Sequence, residues 1–227
     1  MSKLKLVGMG PGSPDYITPI ATKSVQNAEI VIGAKRALNL FQDHIKGESL
    51  LLTAQNLKEG LKYGVASAEA GKNVVILSTG DPGFSGLLGS LINIAGKDVD
   101  VDVIPGVSSV QVCAARLRMR WDKADLLSFH ADASHEKKMR LVKTLKDRRK
   151  VILLPDSKSF SPQDVARFLI EQGIDRETLV SVCENLTLGN ERKVTSTLDG
   201  ILEQNFDLLC VMVVGEGQKQ KDKVEGD

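Results

Sequence analysis

Cysteine is scarce in this sequence. Three occur among 227 residues, at Cys113, Cys183 and Cys210, and no two of them form a C-x-x-C pair. This number and spacing give no disulfide framework and no zinc knuckle. Each cysteine is therefore interpreted as a small buried hydrophobic side chain.

Long hydrophobic runs are also missing near the amino terminus. The first apolar segment covers only residues 4–8. It is too short for the core of a signal peptide and far too short to cross a membrane. We therefore expect a soluble, cytoplasmic protein with no membrane partner. Hydrophobic residues make up 42% of the chain, which is enough to build a core.

Neither sign of charge is in excess. The chain has 30 basic and 29 acidic residues, for a formal net charge of +1. This balance gives no electrostatic basis for general nucleic-acid binding, so none is expected. It still permits a local basic patch that faces an acidic small molecule.

The common nucleotide-binding motifs are incomplete or absent. Glycines at 8, 10 and 12 give the spacing G-x-G-x-G, whereas the dinucleotide fingerprint needs its third glycine at the position of Ser13. The acidic residue expected after the second strand is also misplaced, because Glu29 precedes that strand. No G-x-x-x-x-G-K-[ST] occurs, which disfavours a P-loop enzyme.

Strands alternate with helices along the chain, which predicts an α/β protein with a parallel or mostly parallel sheet. The pattern loosens near Trp121, and a domain boundary is placed there. We predict an amino-terminal α/β domain over 1–117, a carboxy-terminal α/β domain over 122–214 and a polar, disordered tail over 215–227. Apolar runs predict strands over 4–7, 29–33, 50–52, 74–77, 99–104, 124–129, 151–154, 179–183 and 208–214. Helices are predicted over 19–28, 35–41, 56–70, 84–95, 109–117, 136–146, 161–172 and 198–203.

Three predicted strands of the first domain end in turns rich in glycine or proline, at 8–12, 80–83 and 105–106. In a parallel sheet these turns lie at one edge, where ligands of α/β proteins bind. Asp81 adds a carboxylate to this edge. The alternative is an ordinary turn capped by Asp81, with Ser108 and Ser109 as helix caps.

The ordered set of three turns resembles the signature loops of the tetrapyrrole methylases. The residues that carry the resemblance are Val7-Gly8-Met9-Gly10-Pro11-Gly12-Ser13-Pro14, Thr79-Gly80-Asp81-Pro82-Gly83 and Ile104-Pro105-Gly106-Val107-Ser108-Ser109. The similarity covers nearly the whole chain apart from the tail. It implies two α/β domains with S-adenosylmethionine in the cleft between them, in a homodimer.

Further segments resemble the family members that methylate C5 of cobalt-precorrin-7 in cobalamin biosynthesis. These segments are Ile32-Gly33-Ala34-Lys35-Arg36, Asp81-Pro82-Gly83-Phe84, Ser128-Phe129-His130, Glu184-Asn185-Leu186 and Glu191-Arg192. The implied reaction is transfer of a methyl group to a ring carbon, with S-adenosylhomocysteine as the product. It requires no metal and no covalent nucleophile.

The resemblance also assigns residues to the cofactor. By position these are Met9, Gly10, Pro11, Asp81, Phe84, Ser108 and Ser109, joined by Leu154 and Cys183 of the second domain. Asp81 would accept hydrogen bonds from the cofactor or oppose its positive charge. Phe84 would pack against the cofactor or, alternatively, belong to the core.

A tetrapyrrole substrate carries several carboxylates, which calls for basic residues. Arg36 and Arg116 fit the family pattern as substrate-binding residues, and Glu184 either contacts substrate or pairs with Arg192. His130 follows a predicted strand and is the candidate for acid–base catalysis, with a structural or surface role as the alternative.

Several other functions remain open at this point. Other precorrin methyltransferases and diphthine synthase share the fold, and ribosomal RNA methylases of this fold would need a more basic face. A non-catalytic corrinoid-binding scaffold is the alternative outside enzymes. If methylation and decarboxylation at C15 are also needed, we expect a separate partner enzyme.

Overall fold

The computed structural model describes residues 4–97, 99–130, 132–156 and 158–215. These residues fall into two units, one ending at Val112 and the other beginning at Cys113. The boundary predicted from the sequence, between 117 and 122, lies a few residues further along the chain. Apart from Gly215, the predicted tail lies outside the described residues.

The first unit contains a parallel sheet in the order β3-β2-β4-β1-β5. Every neighbouring pair in it is parallel. Its strands are β1 (Leu4–Gly8), β2 (Ile30–Ala34), β3 (Glu48–Leu52), β4 (Val74–Ser78) and β5 (Val101–Ile104). The central strand β4 is buried along its whole length, because helices cover both faces of a parallel sheet. The predicted α/β class is confirmed.

Within the described part of this unit, five α-helices are present or begin. They are α1 (Pro19–Gln26), α2 (Lys35–Leu40), α3 (Leu57–Glu69), α4 (Leu88–Ala95) and α5 (Ser109–Arg116). Leu6 and Ile76 pack with α3 and α4 on one face of the sheet, whereas Val7 and Leu77 pack with α1 and α2 on the other. This alternation follows from the two-residue period of a strand. The division between the two units falls inside α5.

Helix α4 begins four residues later than the sequence predicts. Residues 84–87 instead form a tight loop, in which Ser85 has a φ of 59°. The loop is closed by the Leu87 amide, which donates to Ser78 Oγ at 3.2 Å, and by the Leu88 amide, which donates to the Pro82 carbonyl at 3.2 Å. These bonds compete with helical hydrogen bonds, so Phe84 lies in the loop.

The second unit has a mixed sheet in the order β6-β7-β10-β8-β9. Only β6 and β7 are parallel; β10 is antiparallel to β7 and β8, and β9 is antiparallel to β8. The parallel sheet predicted from the alternating elements is therefore wrong for this unit. The strands are β6 (Asp125–Ser128), β7 (Val151–Leu154), β8 (Leu179–Glu184), β9 (Arg192–Thr197) and β10 (Cys210–Val214).

Strand β9 has no counterpart in the prediction. Its sequence, RKVTST, contains a single aliphatic residue, Val194, and none of its residues is fully buried. It lies at the edge of the sheet and pairs only with β8. An edge strand of this composition does not alternate apolar and polar residues, so the sequence pattern does not predict it as a strand.

The core of the second unit lies on one face of its sheet. Helices α6 (His135–Lys146), α7 (Pro162–Glu171) and α8 (Leu198–Ile201) all contribute buried side chains to it. Phe129 and Phe160 meet edge to face in this core, with ring centroids 4.8 Å apart. Within the described residues, no helix is both long and apolar enough to span a bilayer.

Helix α7 begins with a complete capping box, and this gives a test of its local stability. Ser161 accepts a hydrogen bond from the Asp164 amide, and the Asp164 carboxylate accepts one from the Ser161 amide. We expect Ser161→Ala to lower the free energy of unfolding by about 1 kcal/mol. Urea unfolding measures the change.

Ser134→Ala is the matched control. Ser134 also precedes a helix, but its side chain makes no capping hydrogen bond. The control should change stability by less than about 0.5 kcal/mol. Equal losses in the two variants would contradict the assignment.

Candidate functional site

The three loops predicted to meet do so at the carboxyl edge of the first sheet. The Met9 amide donates to the Ser78 carbonyl at 2.9 Å, and the Gly80 amide donates to the Gly10 carbonyl at 2.9 Å. Gly10 has a φ of +79° and Gly80 a φ of +65°. Both residues are therefore in the left-handed region, which glycine adopts without strain.

Close backbone contact joins the third loop to the other two. A Cβ atom on Gly106 would lie 2.4 Å from the Gly80 carbonyl oxygen, and one on Gly8 would lie 2.4 Å from the Gly106 nitrogen. Backbone atoms cannot move away as a flexible side chain can. Only glycine fits at Gly8 and Gly106, and this requirement brings the three loops together.

Asp81 adds a polar link between the second and third loops. One carboxylate oxygen accepts a hydrogen bond from the Gly83 amide at 2.9 Å. The other accepts from the Gly106 amide at 3.2 Å. The carboxylate thus spans two loops and supplies negative charge at their junction.

The other predicted cofactor residues of the first unit occupy different environments at this edge. Met9 is fully buried in the core, where the Thr79 hydroxyl donates to its sulfur at 3.9 Å. Phe84 is half-buried, and its amide donates to the Asp81 carbonyl at 3.3 Å. Met9 is therefore a core residue that supports the first loop. The Phe84 amide closes the turn that begins at Asp81.

Ser108 and Ser109 stand at the start of α5. Ser108 is 8% exposed, and its hydroxyl accepts a hydrogen bond from the Val110 amide at 3.3 Å. Its own amide donates to the Gln111 side chain at 2.7 Å. Ser108 thus acts as a helix cap, the alternative considered from the sequence, while Ser109 is the first residue of the helix and is half-buried.

Arg36 reaches the first loop from the second residue of α2. Its Nη2 donates to the Pro11 carbonyl. Its Nε is buried and has no hydrogen-bond partner among the residues that the structure describes. Burial lowers the pKa of the Arg36 guanidinium, because desolvation disfavours its charged form.

Leu154 and Cys183, the cofactor residues predicted in the second unit, lie in one row of its sheet. Val211 pairs with Cys183, and Met212 pairs with Leu153. Extending this register by one residue sets Leu154 beside Val211. Leu153 and Met212 belong to the core, so Leu154, Val211 and Cys183 lie on the opposite face.

A family model for the tetrapyrrole (corrin/porphyrin) methylases matches residues 3–202. The chain belongs to this family. Over 216 residues it is 38% identical to a probable cobalt-precorrin-7 C(5)-methyltransferase of Methanocaldococcus jannaschii, covering 95% of this chain and 98% of that protein. It is 32% identical to the cobalt-precorrin-7 C(5)-methyltransferase of Salmonella typhimurium, covering 83% of this chain and 88% of that protein.

A solved structure shares the fold of this tetrapyrrole methylase. It is the uroporphyrin-III C-methyltransferase of Thermus thermophilus in complex with S-adenosylhomocysteine. The TM-score is 0.78 at 21% sequence identity, and the match covers 94% of this chain and 97% of that one. The two-domain α/β class predicted from the resemblance is therefore the fold of the family.

Arg116, predicted to bind substrate, forms an ion pair in the second unit of this methylase. Its Nε donates to Glu191 Oε1 at 2.6 Å and its Nη2 to Oε2 at 3.4 Å. The Thr187 amide donates to the same carboxylate at 2.7 Å. The hydrogen bond from Arg116 is the main cause of the lowered pKa of Glu191.

Glu184 is 1% exposed and fully engaged. Its carboxylate accepts hydrogen bonds from Arg192 Nε and from the Asp207 amide. The alternative considered from the sequence, pairing with Arg192, is what the structure contains. Nearby, the Asn185 side chain donates to the Asp207 carboxylate at 2.5 Å. Glu184 therefore fixes the chain that leads into β10.

His130 follows β6, and Asp156 follows the neighbouring parallel strand β7. His130 Nδ1 lies 3.8 Å from Asp156 Oδ2, and the imidazole is 69% exposed. Hydrogen bonds from the Ser159 hydroxyl and amide are the main causes of the lowered pKa of Asp156. Sequence reasoning missed this partner, although adjacent parallel strands that end in His and Asp are a readable signal.

The contact between glycine backbones can be tested by Gly106→Ala. The added methyl group would collide with the Gly80 carbonyl, so we expect a loss of about 1–3 kcal/mol in the free energy of unfolding. Chemical denaturation measures it. Gly89→Ala in α4 is the control, because a Cβ there meets no atom of the described residues within 4 Å and a helix favours alanine over glycine. An unchanged Gly106→Ala protein would refute the contact.

Proposed function

We propose that this chain is an S-adenosylmethionine-dependent methyltransferase that acts on C5 of cobalt-precorrin-7 in cobalamin biosynthesis. The observation that carries the proposal is the junction of three glycine-rich loops and Asp81 in a family member. Two relatives named for the C5 reaction, at 38% and 32% identity, support this ring position.

The loop junction fits the proposed cofactor. At Gly80 an added Cβ would have Ser108 Cα, at 3.8 Å, as its nearest neighbour, so the backbone here is open to a ligand. Asp81 supplies a carboxylate that suits a cationic sulfonium or hydroxyl donors. We assign Gly10, Pro11, Asp81 and Phe84 to cofactor binding, with Ser108 supporting the third loop. When bound, S-adenosylmethionine supplies an electrophilic methyl group.

The residues of the chain contribute mainly by aligning the acceptor carbon with the methyl group. Methyl transfer requires the acceptor carbon and the methyl group to be held in line and water to be excluded. The left-handed glycines and the bridging carboxylate keep the loop geometry fixed before a ligand arrives. Leu154 and Cys183 are assigned to the apolar part of cofactor binding.

A proton must leave if the methylated carbon carries one. We assign the acceptor role to His130, whose Nδ1 lies 3.8 Å from Asp156 Oδ2. The Asp156 carboxylate places negative charge beside the imidazole, and histidine is the side chain that most often acts as a general base. We further propose a cytoplasmic homodimer that works with a separate C15-methylating, decarboxylating enzyme.

The function is tested by turnover. Purified protein is incubated with cobalt-precorrin-7 and S-adenosylmethionine carrying a ¹³C-labelled methyl group. We expect the product to gain one methyl group by mass spectrometry, with the label on C5 in the NMR spectrum. A label on another ring carbon would assign a different precorrin methylation. Cofactor binding without turnover of any tetrapyrrole would favour the scaffold alternative.

Asp81 gives a direct test of the cofactor site. Calorimetric titration with S-adenosylhomocysteine should follow the order wild type, Asp81→Asn, Asp81→Ala from tightest to weakest. Asparagine keeps one acceptor oxygen and alanine keeps none, so we expect roughly 5- to 100-fold weaker binding by Asp81→Ala. Asp43→Asn, an exposed substitution in the same unit, serves as the control. Wild-type affinity in Asp81→Ala would refute this assignment.

A further inference from the structure

Arg36 differs from the ion-paired arginines of the described chain. Arg116, Arg149 and Arg192 each pair with a carboxylate, and so do Arg120, Arg167 and Arg176. Over the described ranges, no acidic side chain pairs with Arg36. Its one hydrogen-bond acceptor there is the Pro11 carbonyl, and its buried Nε has none.

Such an environment is costly for a cation. Arg36 is half-buried and its Nε is cut off from solvent, so the guanidinium loses part of its hydration, and a single carbonyl replaces only some of it. An unpaired buried donor adds a further penalty. An anion that accepts from the guanidinium offsets part of this cost, and the planar fork of the guanidinium matches a carboxylate.

The position of Arg36 ties this unpaired donor to the loop junction. Pro11 follows Gly10, whose carbonyl accepts from the Gly80 amide at 2.9 Å. Asp81 is the next residue after Gly80, and its carboxylate accepts hydrogen bonds from amides in the second and third loops. The guanidinium therefore contacts the first of the three loops, at the sheet edge that also holds Asp81.

We propose that the Arg36 guanidinium, held by the Pro11 carbonyl, is a binding site for a carboxylate of a ligand at this edge. The inference rests on the proposed function and makes it more specific. Two sources provide this chemistry: the amino-acid carboxylate of S-adenosylmethionine and a peripheral carboxylate of the tetrapyrrole. Ligands that contain or lack the amino-acid carboxylate distinguish these two sources.

The test compares S-adenosylhomocysteine with 5′-methylthioadenosine, which lacks the amino-acid carboxylate. Calorimetry measures the binding of both to wild type, Arg36→Met and Arg36→Lys. Lys35→Met is the matched control, because it removes an exposed positive charge from the adjacent position. Thermal unfolding checks that each variant is folded. The KM for the tetrapyrrole is measured in parallel.

If the cofactor supplies the carboxylate, Arg36→Met should bind S-adenosylhomocysteine about 10- to 100-fold more weakly, while its affinity for 5′-methylthioadenosine stays within about twofold. Arg36→Lys should lie between, because lysine keeps the charge but loses the fork. If the tetrapyrrole supplies it, affinity for S-adenosylhomocysteine should be unchanged, and the KM for the tetrapyrrole should rise by about tenfold or more.

Two results would overturn the site. Equal weakening of both nucleoside ligands in Arg36→Met would mean that Arg36 only supports the Pro11 loop. Unchanged affinities together with an unchanged KM would mean that it binds no carboxylate. Failure of the proposed function looks different, because the folded wild type itself would then bind no S-adenosylhomocysteine.

Discussion

The contact of glycine backbones at Gly8, Gly80 and Gly106 is the constraint on which the candidate site depends. A Cβ on Gly8 or Gly106 would come within 2.4 Å of a neighbouring backbone atom. The three loops can therefore share one edge only while side chains are absent there. Because the loops are in contact, the Asp81 carboxylate can accept hydrogen bonds from amides on two of them at once.

The charged side chains of the two units have different kinds of hydrogen-bond partner. In the second unit, Glu184 and Glu191 are each matched by an arginine and a backbone amide. Such pairs hold loops in place and leave little capacity for a ligand. In the first unit, Arg36 is held by a carbonyl alone and lacks a counter-charge among the described residues. Arg36 thus keeps an unsatisfied buried donor beside the first loop among the described residues.

Much of the first unit follows from sequence, because its signals are local. Apolar runs mark strands buried on both faces, and Thr18 with Pro19 marks the start of α1. The joining of the loops also follows, since parallel strands bring their carboxyl ends to one edge. Helix α4 does not, because the loop bonds at Ser78 and Pro82 delay its start to Leu88.

The second unit is harder to predict because its signals are long-range. Strand β10 inserts between β7 and β8, and no local pattern reveals the direction of a strand. The role of Arg116 was equally hidden, because an arginine suits a polycarboxylate substrate, yet its partner Glu191 comes close only through the fold. The pairing of Glu184 with Arg192 was one of the two alternatives considered from the sequence, whereas its contact with Asp207 is long-range.

The same reasoning indicates where the choice of ring carbon is made. A uroporphyrin-III methyltransferase at 21% identity has this fold, so the fold alone cannot select the position methylated. The glycine contacts cannot select the methylated position either. They are contacts between backbone atoms, and glycine has no side chain that could bind the substrate. Selection must come from side chains that approach the loop edge without being needed to build it. Arg36 approaches this edge with a single carbonyl as its acceptor among the described residues, and it would take part in the selection in the case where the tetrapyrrole supplies the carboxylate that we propose it binds.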